Sequence, residues 1–308
     1  MNQQLPWTAK NTFTALLVVV IWGLNFVPMK LGLLVLSPFE LGAARYLTAA
    51  LPLCFIVRFP RVSVRWVFQL ALFQGVGQFS LLFIGLQVGM TAALASIILQ
   101  TQIYFTALLS FLIYRHRPTP LLWLSMGVAT IGLMLFAVSA LHNNTSREVT
   151  PLGIFYTLAA ATMWGAANLT THQAQHKFPN YNPLAYIVWS STITAVVYLF
   201  FVALFTPDAS RWLQLSTWQA IDYQTWLSVI YLGWASTIAG YTLWTLLLKR
   251  HPPNKVAPFS LGVPVIGLLA GLLWLKESID YWQWSGSCFV GLSLLLVVFG
   301  PRYLKQWL

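Results

Sequence analysis

Residues 12–34 read TFTALLVVVIWGLNFVPMKLGLL, and Lys30 is the only charge among them. As a helix rising about 1.5 Å per residue, this run extends roughly 34 Å, enough to cross a hydrocarbon layer about 30 Å thick. The polar stretch ahead of it, Met1 to Asn11, leads into it without an A-x-A-like cleavage site. The run is therefore expected to stay as a first membrane helix and not to leave as a signal peptide.

The rest of the chain has the same character. Of its 308 residues, 58% are hydrophobic and 7% charged, with a mean hydropathy of +0.71. Seventeen Lys and Arg with six Asp and Glu cannot cover water-facing domains of this size, so a soluble fold is excluded. Breaking the apolar runs at charge clusters and turn residues predicts ten helices, at 12–34, 38–57, 66–88, 91–114, 119–140, 151–173, 184–206, 224–248, 255–275 and 282–300. The least secure are the third and fourth, divided only by Gly89-Met90-Thr91, and the ninth, which holds Pro258 and Pro264. Cys54 and Cys288 both sit in apolar runs and read as packing residues.

Orientation follows from the cations, which resist translocation near span ends. With the N-terminus inside, Lys10, Arg58, Arg61, Arg65, Arg115, Arg117, Lys177, Lys249, Arg250, Lys255, Arg302 and Lys305 fall on the cytoplasmic side. Only Lys30, Arg147, Arg211 and Lys276 fall outside, and Arg45 lies within a span. All six acids, Glu40, Glu148, Asp208, Asp222, Glu277 and Asp280, fall on the outer side. This predicts an all-α polytopic membrane protein with both termini inside, and the net charge of +11 is mostly that asymmetry. Short loops supply no solvated basic face for nucleic acid, which is excluded as a partner.

The chain also echoes itself. Trp22-Gly23-Leu24-Asn25 returns as Trp164-Gly165-Ala166-Ala167-Asn168, and the hairpin end at Arg115-His116-Arg117 matches that at Lys276-Glu277-Ser278. Two repeats, 1–145 and 146–308, with five helices each would enter the membrane from opposite sides, because five is odd. Such an inverted repeat places a substrate site near the midplane, between the halves.

No catalytic constellation is present: the histidines His116, His142, His172, His176 and His251 lie in loops or at span ends, and there is no phosphate-binding GxxxxGK[ST] motif. Neither a metal nor a cofactor is expected, and an intramembrane hydrolase lacks its Ser/His or Asp/Asp pair. The informative groups are the polar residues inside the spans, which are costly there. Trp22 and Asn25 share one face of the first span, Trp164 and Asn168 one face of the sixth, and these faces would meet across the pseudo-two-fold axis. Gln74 and Gln78, then Gln100 and Gln102, exceed what interhelical hydrogen bonding usually needs, although Gln100 and Gln102 point to different sides of their helix. Tyr241 and Trp244 would add walls. Arg45 either forks a substrate carboxylate or serves a structural role, paired with Glu40 or snorkelling outward. Lys30, Glu40 and Pro264 are expected at a gate or rim. Since no acid lies deep in a span, substrate is expected to move down its gradient, or to couple to protons only through itself or a rim group such as Glu40.

With these residues in hand, the chain resembles the EamA family of the drug/metabolite transporter superfamily over nearly its whole length. The resemblance rests on Trp22-Gly23-Leu24-Asn25-Phe26 with Lys30 and Arg45, on Leu94-Ala95-Ser96 through Leu99-Gln100-Thr101-Gln102 and Phe105-Thr106, on Gly240-Tyr241 with Trp244, and on Val256-Ala257-Pro258-Phe259-Ser260-Leu261 with Val263-Pro264-Val265. Within the family these stretches are most similar to bacterial inner-membrane exporters of O-acetylserine and cysteine. The resemblance implies a multi-pass secondary transporter of the inner membrane that exports amino acids or their metabolites by alternating access. Where the family usually ends its fourth span with Gly-Glu this chain has Arg115-His116, while the second-half counterpart, Lys276-Glu277, is kept. A broader exporter of aromatic amino acids or drugs, and a structural membrane protein without cargo, remain as alternatives. The partners expected are a small-molecule substrate and lipid; the oligomeric state is not legible.

Overall fold

The computed structural model describes residues 8–115, 119–142, 149–251, 256, 259–260 and 262–304. The expectations on His116, Arg117, Arg147, Glu148, Lys255, Ala257, Pro258, Leu261 and Lys305 lie outside these residues. So do those on the side chains of His142, Lys249, Arg250 and Arg302. Among the described residues the chain is helical throughout, with no strand. The helical runs are α1 (Ala9–Gly32), α2 (Pro38–Ile56), α3 (Val64–Gly89), α4 (Ala92–Ile113), α5 (Pro120–His142), α6 (Pro151–Lys177), α7 (Pro183–Phe205), α8 (223–250), α9 (Gly262–Trp274) and α10 (Tyr281–Leu304). Six of them, α1–α4, α6 and α7, are by length and composition able to cross a membrane, fewer than the ten spans expected. Of the others, α9 is apolar but shorter, because the start expected at residue 255 falls among residues not described.

Local chemistry sets the helix ends. Ser37 and Glu40 form a capping box at the start of α2, and Thr150, Asn182 and Asp222 cap α6, α7 and α8. Inside α1 the helix is interrupted at Asn25, because Pro28 has no N–H to offer the Leu24 carbonyl. Two further irregularities stand at matching places in the two halves: π-helical turns at Ala71–Gln78 in α3 and at Tyr231–Gly240 in α8. Arg115 and Lys276, just beyond α4 and α9, both adopt left-handed backbone, with φ of 60° and 52°. These are the hairpin ends that the sequence aligns with each other.

The packing has the same internal correspondence. The principal partners are α1 with α9 and α6 with α4, α1 with α8 and α6 with α3, and α2 with α8 and α7 with α3. The pairs α2 with α7, α4 with α9 and α5 with α10 complete the set. Exchanging the first five helices for the last five returns the same set. The glycine after each tryptophan explains the repeated Trp-Gly: a Cβ on Gly23 would strike Ile266 on α9, and one on Gly165 would lie 2.9 Å from the Thr106 backbone nitrogen on α4. Close helix approach through small residues is the usual substitute for hydrophobic driving force inside a bilayer. Large apolar side chains such as Phe13, Phe55, Phe155, Phe200 and Leu273 are exposed around the outside, as lipid contact requires.

Candidate functional site

The two tryptophans selected by the repeat meet at the centre. Their rings lie 6.5 Å apart, edge to face, and Trp22 also packs against Tyr241 at 5.0 Å and Trp244 at 5.4 Å. Gly240 makes room for this, because a Cβ there would lie 2.5 Å from Trp22 Nε1, which donates to the Ser236 carbonyl at 3.2 Å. Around these rings lies a narrow cavity. Its polar lining is Asn25, Gln78, Ser96, Gln100, Trp22, Trp164 and Tyr241; its apolar lining includes Phe26, Met29 and Phe79. Asn25 and Gln78 are buried, and each has an amide oxygen with no hydrogen-bond partner in the protein. A buried amide group left unmatched costs about 1–3 kcal/mol, so a ligand or water is required there. Gln100 donates to the Ser260 carbonyl at 3.3 Å, which fixes its side chain along the wall.

Other expected site residues lie elsewhere. Asn168 does not line this cavity: its Nδ2 donates to Gln102 Oε1 at 2.5 Å and to Thr106 Oγ1 at 3.3 Å, tying α6 to α4. Gln102, on the opposite side of its helix from Gln100, is consumed by the same bond. Gln74 lines a second, smaller cavity beside α3 and α7, with room for about one water, which Tyr241 also borders. Arg45 is fully buried and takes neither structural role foreseen for it, since Glu40 bonds instead to Arg211 at 2.7 Å and to Trp212 Nε1 at 2.8 Å. The Arg45 guanidinium donates to Thr237 Oγ1 at 3.0 Å and Ser236 Oγ at 3.4 Å, on the π-helical part of α8, and lies 3.8 Å over the Phe79 ring.

The rim residues grip one hairpin. Lys30 donates to the carbonyls of Leu86 and Met90, at 2.9 and 2.8 Å, where α3 ends. Glu277 accepts from the backbone nitrogens of Ala92 and Ala93, at 2.7 and 2.9 Å, where α4 begins. Pro264 is buried at the start of α9. The capping by Glu277 and the hydroxyls of Ser236 and Thr237 escape sequence reading. Serine and threonine inside apolar helices usually satisfy themselves on a preceding carbonyl and carry no distinguishing signal.

Comparison with known proteins agrees with this architecture. The model of the EamA-like transporter family matches residues 10–138 and again residues 151–299. A probable amino-acid metabolite efflux pump of Salmonella typhimurium is 34% identical, covering 95% of this chain and 96% of its own. A protein of Escherichia coli with the same description is also 34% identical, over 96% of this chain and 97% of its own. One crystal structure superposes with a TM-score of 0.62 at 16% identity, covering 96% of this chain and 98% of that one, which is a likeness of fold.

Proposed function

Because the chain belongs to the EamA-like transporter family and is a multi-pass membrane transporter, we propose that it exports amino acids or their metabolites from the cytoplasm, through the cavity between its two halves. Cysteine- and O-acetylserine-like zwitterions are the cargo. The observation that carries this reading is the cavity itself: aromatic faces and unmatched buried amides at the place where Trp22 and Trp164 meet. An ammonium group finds acceptors and ring faces there.

The fold we propose is ten membrane helices in two inverted five-helix repeats, 1–145 and 146–308, with both termini in the cytoplasm and the protein in the inner membrane. The double family match, the paired π-helical turns and the exchangeable packing partners support the repeat. The cation asymmetry supports the orientation. Substrate passes by alternating access, and no carboxylate is among the residues lining either cavity. Movement is therefore assigned to the substrate gradient, or to protons carried by the substrate or a rim group such as Glu40.

Counterflow in proteoliposomes tests the reading, with labelled cysteine, O-acetylserine, serine and tryptophan presented as a panel. Saturable exchange of the small zwitterions is expected. Exchange of tryptophan in preference to them would move the cargo to aromatic amino acids, and no exchange of any member would refute amino-acid export.

A further inference from the structure

Arg45 is a buried cation for which the described part of the fold supplies no anion. Its guanidinium keeps its proton at any physiological pH. Its hydrogen bonds go to two neutral hydroxyls, of Thr237 and Ser236, and its ring contacts are Phe79 at 3.8 Å and Tyr46 at 5.6 Å. Nη1 has no hydrogen-bond partner among the described residues. Hydroxyls and ring faces offset part of the desolvation cost, but an uncompensated charge in a protein interior remains unfavourable.

The second cavity is separated from this group by one side chain, that of Thr237. Thr237, which holds Arg45 Nε, lines it, as does Tyr46, the next residue in the chain. The opposite wall comes from α7, with Ser190, Ser191 and Thr194. Ser190 and Thr194 give their protons to the carbonyls of Ile187 and Ser190. Ser191 makes no such bond, so its hydroxyl is left to donate, as are the phenols of Tyr46 and Tyr241, which line the same cavity. The internal correspondence also makes Ser191 the counterpart of Arg45: each stands three residues before the threonine, Thr48 or Thr194, that packs on a glycine of the other half, Gly233 or Gly75.

We propose that Arg45 and this hydroxyl-lined cavity bind a small monovalent anionic group, either the carboxylate of the exported zwitterion or an inorganic halide. The carboxylate arm rests on the export reading and the halide arm does not. With the carboxylate here and the ammonium among Asn25, Gln78 and the tryptophans, a zwitterion would lie across Tyr241, which lines both cavities.

The test uses the full chain in lipid nanodiscs and reads its thermal unfolding midpoint at constant ionic strength, balanced with sulfate. The probes are sodium bromide, L-cysteine and L-cysteine methyl ester. The expected result is a saturable upward shift with bromide, or with L-cysteine but not its ester. The shift should be lost in Arg45→Gln and its half-saturating concentration raised several-fold in Ser191→Ala, the magnitude of one neutral hydrogen bond. Removing an unpaired charge should leave Arg45→Gln folded; should it fail to fold, Ser191→Ala decides. The proposal is overturned if neither bromide nor L-cysteine gives a saturable shift. Equal shifts with the acid and its ester without a bromide response overturn it too, as do shifts that persist unchanged in the variants. A bromide response without amino-acid counterflow would keep the anion site and remove the export reading.

Discussion

Asn25 and Asn168 follow the two Trp-Gly pairs at nearly the same distance, yet only Asn25 is left for a ligand. Asn168 is consumed by Gln102 and Thr106, whereas Asn25 and Gln78 keep unmatched oxygens beside the central cavity. The two kinds of amide should separate on mutation. Asn25→Ala and Gln78→Ala are expected to cut export about tenfold or more with expression and thermal midpoint unchanged, since on the proposed reading each removes a group that meets substrate. Asn168→Ala and Gln102→Ala should instead lower stability by about 0.6–1.7 kcal/mol, the range for membrane hydrogen bonds, with little change in the substrate concentration for half-maximal export. Transport assays beside thermal unfolding distinguish these outcomes, and an export defect of equal size in all four variants would remove the distinction. The Trp-amide faces were legible in the sequence because buried polarity in an apolar helix is rare. Which amide stays free was not, because it depends on whether another helix brings a partner such as Gln102 to it.

At the level of the helices, the hairpin joining α3 to α4 is held from outside itself. Lys30 of α1 meets the carbonyl end of α3, and Glu277, beyond α9, meets the N–H end of α4, so opposite charges complement opposite helix poles. Glu277→Ala strips two backbone donors of their acceptor and is expected to cost about 1–2 kcal/mol, as loss of a helix N-cap does. Hydrogen exchange should locate that loss at the amides of Ala92 and Ala93, with Glu277→Gln intermediate. Unchanged exchange at both would show that water replaces the carboxylate without cost. The apolar runs themselves were readable from residue type, because about 20 apolar residues in a row have few other uses. The π-helical turns at Ala71–Gln78 and Tyr231–Gly240 were not. Nothing in their composition marks a change of hydrogen-bond register, and they arise where side chains from α2 and α7 pack against α8 and α3.

For the molecule as a whole, alternating access requires that the two ends part in turn while the centre holds its cargo. The end bearing Lys30 and Glu277 is closed by those charged caps. At the opposite end Asn11 Nδ2 meets His251 Nε2 at 2.8 Å, beside the buried cluster of Ala15, Leu247 and Val256. On the proposed orientation that contact faces the cytoplasm, where an exporter takes up cargo. The duplication we propose is read in the chain from the offsets between Trp22 and Trp164 and between Arg115 and Lys276, and the family model matches twice. The contact of Asn11 with His251 was not legible in the sequence, since only the folded packing brings α1 and α8 together there. The prediction belongs to this scale. With Cys54 and Cys288 replaced, the double variant Asn11→Cys, His251→Cys should retain export until a short, reducible thiol cross-linker joins the two positions. Export should then stop, and it should return on reduction, while the single variants treated alike remain active. If the cross-linked protein exports at the uncross-linked rate, α1 and α8 do not separate at this end during the cycle, and the path of the substrate must leave the central cavity between other helices.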